Sequence, residues 1–282
     1  MKLLDRVGML VARRWLSGIT IADALEDSRA INSLSEKVMI NYLGEGLAKR
    51  ADVSKNVMTY VSLLRKMKSD KIKGCISVKP TQLGLCIGYS FFLENYGKVI
   101  SVAAKAGVFV WTDMEEPVYI NSTIKAYLSM LKKHNNVGIC MQARVKRTYD
   151  DIKHIVSEGG RIRLVKGAYK PIGGINYMTR NQTNGNYVRC MHYLFSHSKS
   201  FMIATHDYAI IGKALRLRKR YKGKIMFAML KGIRPSLAVK LSGMGQDIYI
   251  YLPFGEEWLS YSMRRLKEVS NIILVVRSLL VG

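Results

Sequence analysis

Eight short apolar segments recur along this chain of 282 residues, and they constrain its fold more than any other feature. Each has six or seven residues and is mostly apolar, which is typical of strands buried on both faces of a parallel sheet. The segments are residues 38–43, 74–79, 108–113, 137–143, 161–167, 201–206, 224–229 and 248–253. Stretches with helical spacing of apolar residues lie between them. This alternation predicts an α/β fold, a (β/α)₈ barrel.

The chain is predicted to form one domain, because its length is close to the roughly 250 residues of a barrel. It has only 5 prolines and no Pro/Gly/Ser-rich linker. Residues 1–36, which include the helical pattern IADALEDSRAINS, are predicted to form an N-terminal arm. The barrel is expected to span 37–268, and an apolar C-terminal segment is expected over 269–282.

The formal net charge of +25 is large, and it admits three interpretations. Clustered lysine and arginine favour the phosphates of nucleic acid. They also favour an anionic membrane surface, or they form a charged surface with no specific partner. Neither zinc-finger spacing nor an aromatic-basic RNA motif accompanies the charge. We therefore expect no specific nucleic-acid partner.

Several classes of site have no support in the sequence. The 4 cysteines contain no C-x-x-C pair, and His192 and His197 are five residues apart, so no metal site is predicted. No G-x-G-x-x-G follows a strand segment, and neither a Walker A motif nor a G-x-S-x-G motif occurs. The sequence does not favour a Rossmann nucleotide site, a P-loop or a serine hydrolase.

No targeting or membrane-spanning segment is predicted. The N-terminal apolar run covers only 8–12 before Arg13 and Arg14, which is too short for a secretory signal. No segment reaches the 18 apolar residues of a spanning helix. We expect a cytoplasmic protein, and its basic composition and apolar end suit peripheral contact with the inner face of an anionic membrane.

Polar or functional side chains occur at the ends of the predicted strands. They are Glu45, Lys79, Asp113, Gln142, Lys166, His206, Leu230 and Tyr251, of which only Leu230 is apolar. Catalytic groups of barrel enzymes gather at the carboxyl ends of the strands. The pattern predicts a polar cleft at that end.

Three arginines lie in unusual positions. Arg163 falls inside a strand segment, where a charge needs an anion to pair with it. Arg264 and Arg265 are adjacent in the helical pattern YSMRRLKE, residues 261–268. The arginine side chain is a rigid fork of donors that suits carboxylate or phosphate. The sequence therefore predicts an anionic ligand near these residues.

Taken in order, the strand ends resemble those of the flavin-dependent proline dehydrogenase family. The matching pieces are NYLGE, ISVKPTQLG, TDMEE, GICMQARVKRTYDD, RIRLVKGAYKP, ATHD, FAMLKGIRP and YLPFGEEWLSYSMRRLKE, from about residue 41 to 268. The resemblance implies a distorted (β/α)₈ barrel that oxidises L-proline to Δ1-pyrroline-5-carboxylate. It also implies FAD as cofactor and a quinone as electron acceptor.

The resemblance implies a substrate site at the strand ends. The residues that would contact proline are Lys79, Arg264 and Arg265 at its carboxylate, and Leu230, Tyr251 and Tyr261 around its ring. Asp113 would hold Lys79 in place. Glu45 would pair with Arg264 as a gate that closes over the substrate.

The resemblance also implies a cofactor site. Arg163 would lie beside the flavin N5, where positive charge favours the reduced flavin. The other implied contacts are Met114 and Gln142 at the isoalloxazine, Val165, Lys166 and Gly167 along the flavin and its phosphates, Thr205 and His206 as hydrogen-bond partners, and Glu268 at the adenosine end.

The chain departs from the family pattern at four positions near these motifs. Asp207 stands where the pattern has asparagine, and Lys170 stands where it commonly has an aromatic residue. Lys231 and Arg144 each stand where the pattern has tyrosine.

Three other functions are compatible with part of the pattern. A Schiff-base barrel enzyme using Lys79 or Lys166 shares the fold but leaves the three arginines unexplained. A hydroxyproline dehydrogenase of the same family is disfavoured because Tyr251 would crowd the extra hydroxyl. A basic membrane- or nucleic-acid-binding protein without catalysis leaves the polar strand ends unexplained.

Overall fold

Eight parallel strands close into a barrel in the computed structural model, which describes residue 8 and residues 12–267, with the backbone alone over 264–267. The strands are β1 (Lys37–Tyr42), β2 (Gly74–Val78), β3 (Phe109–Thr112), β4 (Val137–Gln142), β5 (Ile162–Val165), β6 (Ser200–Ala204), β7 (Lys224–Leu230) and β8 (Asp247–Phe254). Each strand pairs with the next, and β8 pairs with β1. The predicted (β/α)₈ barrel is confirmed.

Helices connect the strands around the outside of the barrel. They are α1 (Ile21–Ser33), α2 (Arg50–Ser69), α3 (Tyr89–Ala106), α4 (Ile120–Leu131), α5 (Thr148–Ser157), α6 (Arg180–His197), α7 (Tyr208–Arg218), α8 (Pro235–Gly243) and α9 (Trp258–Lys267). Two 3₁₀ turns, Pro80–Leu83 and Pro117–Tyr119, follow β2 and β3. These turns hold the chain close to the carboxyl end of the barrel, where the polar strand-end residues lie.

Apolar side chains fill two layers, which explains why the strand segments are apolar on both faces. The outer layer packs helices on strands. The inner layer fills the barrel with Met39, Cys75, Trp111, Met202, Met226 and Ala228. Gly138 on β4 leaves room for this layer, because a Cβ there would lie 2.5 Å from the ring of Trp111. The interior is therefore a packed core, and the site lies above it.

Strand β5 ends two residues earlier than the sequence predicts. It stops at Val165, because Gly167 adopts a φ of 110° that leaves the extended conformation. That φ lies in a region that only glycine enters readily. Lys166 and Gly167 therefore belong to the loop that leaves the barrel, and their backbone faces the site end.

The N-terminal part of the chain packs against the C-terminal part. Thr20 caps the N-terminus of helix α1, and its side chain accepts a hydrogen bond from the Asp23 N–H in a capping box. Before it, Trp15 donates a hydrogen bond from Nε1 to the Ser262 hydroxyl of α9 at 3.1 Å. Residues 269–282, predicted to form an apolar segment, lie outside the described residues.

Within residues 12–267, no helix is both long enough and apolar enough to cross a lipid bilayer.

Candidate active site

Three charged side chains meet in the centre of the carboxyl end of the barrel. Asp113 follows β3, Lys79 follows β2, and Arg163 lies on β5. Lys79 Nζ is 2.8 Å from Asp113 Oδ2, and the guanidinium of Arg163 bonds to Asp113 Oδ1. All three are largely buried, with side-chain exposures of 15% for Lys79, 8% for Asp113 and 5% for Arg163. We call these three residues the central ion network.

In the central ion network, the Asp113 carboxylate and the two cations keep one another ionised. Burial alone raises the pKa of Asp113, but the positive charges of Lys79 and Arg163 outweigh it and hold the pKa well below its usual range. Burial alone lowers the pKa of Lys79, but the Asp113 carboxylate outweighs it and raises the pKa well above its usual value. Two cations and one anion leave a net charge of +1, which suits an anionic ligand.

Arg163 has further contacts inside the barrel. Its Nη1 donates to the Ser77 hydroxyl at 3.2 Å, and its guanidinium lies 5.8 Å from the centre of the Tyr251 ring. Its Nε is buried and has no hydrogen-bond partner among the described residues. A buried donor of this kind is rare in proteins, where nearly all buried polar groups have a partner. The sequence predicts an anionic partner for Arg163, and in the structure that partner is Asp113.

The apolar side of the site is built from both ends of the chain. Tyr261 on α9 is buried, and Leu230 at the end of β7 packs in the same cluster. Trp15 and Leu16 from the N-terminal part complete that cluster. Tyr251 on β8 packs on the inner layer of the barrel instead. The two tyrosines thus lie in adjoining clusters near the central ion network.

Several residues implied as cofactor contacts lie together at the ends of β4 and β5. Gln142 is buried, and its Nε2 donates to the carbonyl oxygens of Met114 and Glu115 at 2.7 and 2.9 Å. A Cβ on Gly167 would lie 2.9 Å from Gln142 Oε1. Val165, at the end of β5, pairs with Gln142 in the barrel. These residues are therefore neighbours at the carboxyl end of the barrel.

A second group lies at the ends of β6 and β7. His206 Nε2 accepts a hydrogen bond from the Leu230 N–H at 3.0 Å. The Thr205 hydroxyl accepts one from the Asp207 N–H at 3.2 Å. Lys166 from the β5 loop reaches this group, and its Nζ is 2.7 Å from Asp207 Oδ2. Lys166 therefore forms an ion pair with Asp207, which stands where the family pattern has asparagine.

The other three departures lie around the site. Lys231 binds Asp27 of α1 and donates to the Leu16 carbonyl at 2.7 Å, so it ties the N-terminal part to β7. Arg144 Nη1 donates to the Tyr169 carbonyl at 3.2 Å. Lys170 is exposed.

The structure does not describe every predicted site residue. The side chains of Arg264 and Arg265 on α9 lie outside the described part of the chain, and so does Glu268. The proposed gate between Glu45 and Arg264 therefore stays a prediction. What the structure places against Glu45 is Tyr169, whose hydroxyl donates to Glu45 Oε2 at 3.1 Å.

Sequence reasoning missed Tyr169 and Glu115, although both lie in quoted motifs, KGAY and TDMEE. Glu115 is 3% exposed and accepts hydrogen bonds from the N–H and the hydroxyl of Thr81 at 2.8 and 2.6 Å. That hydroxyl also accepts from the Gly46 N–H at 2.9 Å. Glu115 thus links the loop after β3 to the loop that carries Glu45. An acidic residue in a polar loop is usually exposed, so the sequence did not indicate that Glu115 is buried.

Glu115 gives the protein a pH dependence of stability. Burial raises the pKa of Glu115 from 4.5 to about 7, although Lys79 and the Thr81 hydrogen bonds oppose the shift. The unfolded chain then releases its proton at lower pH than the folded chain. As the pH rises from about 4.5 to 7, this group removes about 3 kcal/mol of stability. Below about pH 4.5 Glu115 is protonated in both states and this loss of stability does not occur.

We therefore expect Glu115→Gln, which does not titrate, to gain stability relative to the unchanged protein between pH 4.5 and 7. The gain should reach about 3 kcal/mol and level off at higher pH. Urea unfolding at pH 4.5, 6 and 8 measures it. Glu94→Gln, at an exposed carboxylate of α3, is the control. A difference between Glu115→Gln and the unchanged protein that is constant with pH would contradict the prediction.

Residues 24–272 match the family model described as proline dehydrogenase. Proline dehydrogenase 2 of Bacillus subtilis (strain 168) is 28% identical over 291 residues, which cover 98% of this chain and 96% of that protein. Proline dehydrogenase of Deinococcus radiodurans is 27% identical, with coverages of 96% and 91%.

Solved structures support the same fold. The structure of proline utilization A from Bdellovibrio bacteriovorus, inactivated by N-propargylglycine, superposes with a TM-score of 0.87 at 21% identity. The match covers 92% of this chain and 33% of that chain, so this chain spans about a third of the larger protein. At this identity the likeness concerns the fold alone. The family model, in contrast, matches most of the sequence, and the chain belongs to the proline dehydrogenase family.

Proposed function

We propose that this protein oxidises L-proline to Δ1-pyrroline-5-carboxylate, with FAD as cofactor and a quinone as the electron acceptor. Membership of the proline dehydrogenase family supports the substrate. The single observation that carries the proposal is the central ion network, buried where barrel enzymes place their chemistry.

Lys79 binds the carboxylate of proline in this proposal, together with Arg264 and Arg265. Its ammonium stays charged in a site that is largely closed to water, where a charge-assisted hydrogen bond is strong. Asp113 orients Lys79 by accepting one of its three N–H bonds and leaves the others for a ligand. The net charge of +1 balances one carboxylate.

The ring of proline lies against the apolar side of the site in this proposal. Tyr251, Tyr261 and Leu230 are rigid or packed side chains that fix its position. A fixed ring holds the carbon beside nitrogen in the position from which hydride is removed. Positioning of this kind lowers the barrier to reaction. The ring nitrogen must be neutral when hydride leaves, and the nearby positive charges favour its deprotonated form.

The residues present fit a flavin. Arg163 Nε is a buried donor without a partner among the described residues, as an acceptor atom of a bound flavin would require. Gly167 lies so close to Gln142 that a Cβ there would be 2.9 Å from Gln142 Oε1, and Lys166 supplies a cation from the same loop. When bound, FAD supplies the two-electron redox chemistry, while the protein supplies orientation and electrostatics.

A quinone acceptor implies a lipid surface as the place of reoxidation. The net charge of +25 supports peripheral contact with anionic lipid. Sedimentation with anionic liposomes at low salt tests this part, and a protein that stays in the supernatant would exclude it.

The visible spectrum of the purified protein tests the proposed function. We expect a flavin spectrum that bleaches on anaerobic addition of L-proline and returns when a quinone is added. D-Proline is the control for stereochemistry, and hydroxyproline tests whether Tyr251 excludes the extra hydroxyl. A flavin spectrum that L-proline leaves unchanged would reject proline as the substrate. A protein that FAD cannot reconstitute would reject the cofactor.

A further inference from the structure

A cluster of cations surrounds one carboxylate at the ends of β5, β6 and β7. Asp207 Oδ2 lies 2.7 Å from Lys166 Nζ and 3.7 Å from Arg180 Nη2. Arg234 donates to the His206 carbonyl, one residue before Asp207, and its guanidinium lies 4.3 Å from the centre of the Tyr208 ring. The Asp207 side chain is 12% exposed, so water screens this pair only partly.

The two oxygens of Asp207 have separate tasks. Oδ1 accepts hydrogen bonds from the N–H groups of Ala209 and Ile210 at 3.0 and 3.3 Å and so caps the first turn of α7. Oδ2 takes the ion pair with Lys166. An asparagine at this position retains the cap through its single oxygen but places an NH₂ group toward Lys166. Capping of α7 therefore does not require a carboxylate. The ion pair with Lys166 does require one.

The family resemblance implies that Lys166 lies along the phosphates of the proposed cofactor, and its ammonium is the cation that could bind them. Burial lowers the pKa of Lys166, and the Asp207 carboxylate opposes that shift. A cation already paired with a carboxylate loses that pair when it turns to a phosphate. The displaced carboxylate also repels the incoming negative charge at short range.

We propose that Asp207 is an internal anion that occupies the phosphate-binding end of the cofactor site, so that a phosphate-bearing flavin binds only by displacing it from Lys166. The inference rests on the proposed dependence on FAD. It assigns to Asp207 the control of affinity for the charged part of the cofactor. The isoalloxazine end, near Arg163 and Gln142, is not affected.

Binding titrations of the full chain test this inference. Asp207→Asn should bind FAD about tenfold more tightly, because one like charge is removed and Lys166 is released. Riboflavin, which carries no phosphate, should bind both proteins within about twofold. Asp207→Ser also retains the cap and should show the same gain for FAD. Thermal unfolding without flavin checks that α7 remains folded in both variants.

Inorganic pyrophosphate provides a readout that needs no flavin. Its affinity, measured by calorimetry, should rise about tenfold in Asp207→Asn. In a Lys166→Gln background the gain from Asp207→Asn should be clearly smaller, since only the repulsion by the carboxylate is then removed and no ion pair with Lys166 is broken.

Three results would overturn the inference. These are weaker FAD binding by Asp207→Asn, an equal gain for riboflavin, and a full gain in the Lys166→Gln background. If neither protein binds any flavin, the proposed function fails. The pyrophosphate titration still decides the inference in that case, because an unchanged affinity rejects it and a gain supports an anion site controlled by Asp207.

Discussion

Asp113→Asn is expected to lower the free energy of unfolding by about 3–5 kcal/mol, because it leaves two buried cations without their anion. Lys79 and Arg163 would then face each other in a site where water cannot screen them. Urea unfolding at neutral pH measures the change. Of all the substitutions considered, this one should affect stability most.

Asp247→Asn is the matched control for Asp113→Asn. Asp247 also lies between two cations, Lys37 at 2.8 Å and Lys224 at 3.4 Å, but their side chains are 35% and 59% exposed. Exposed pairs contribute little, so we expect a loss below about 1 kcal/mol. If both variants lost the same free energy of unfolding, burial would not be the reason that the central ion network stabilises the protein.

The effect of Asp113→Asn should also depend on pH in a defined direction. The folded-state pKa of Asp113 is depressed, so its stabilisation is present above the unfolded value of about 3.9 and is lost as the pH falls below it. The gap between the variant and the unchanged protein should therefore narrow below about pH 4. This is the opposite of Glu115, whose raised pKa removes stability as the pH rises.

Lys79→Met is expected to lower kcat/KM for L-proline by about 10²–10³, with most of the loss in KM. Methionine retains the length of the side chain but removes the charge that we propose holds the substrate carboxylate, and truncating one partner of a buried charge pair has an effect of this size. Asp113 retains Arg163 as its partner, so the variant should remain folded. Steady-state kinetics with an artificial acceptor measure the change.

Lys55→Met is the control for Lys79→Met. Lys55 pairs with Glu256 at 3.4 Å on the surface, where both side chains are more than half exposed. Its loss should leave kcat/KM within about twofold. A fall in kcat with KM unchanged in Lys79→Met would mean that this lysine acts on the reaction step and does not hold the carboxylate.

The barrel could be predicted from the sequence because each strand is buried on both faces and so is apolar over its whole length. The ends of the strands were less certain. β5 stops at Val165 because the φ of Gly167 breaks the extended chain, and an apolar pattern does not record φ. Lys79 and Asp113 could be singled out because polar side chains recur at nearly all the predicted strand ends, and Arg163 because a charge inside a strand needs a partner. Their mutual contacts follow from the closed barrel.

The pairings between loops could not be predicted. Tyr169 meets Glu45 across 124 positions, and Glu115 meets Thr81 across 34. These residue types are common in exposed loops, and only the folded geometry shows that they are paired. The ion pair of Lys166 with Asp207 is a similar case. Asp207 stood out as a departure from the family pattern, but its partner depended on how the β5 loop folds back over β6.

The wall of the site that joins Trp15 and Leu16 to Leu230 and Tyr261 has a consequence for synthesis. A nascent chain emerges from the ribosome with its N-terminus first, and Trp15 then lacks the Ser262 hydroxyl to which it donates. The early strands can begin to pair, but the pocket remains open on one side until α9 has been translated. Binding at this site would therefore report that translation has passed α9.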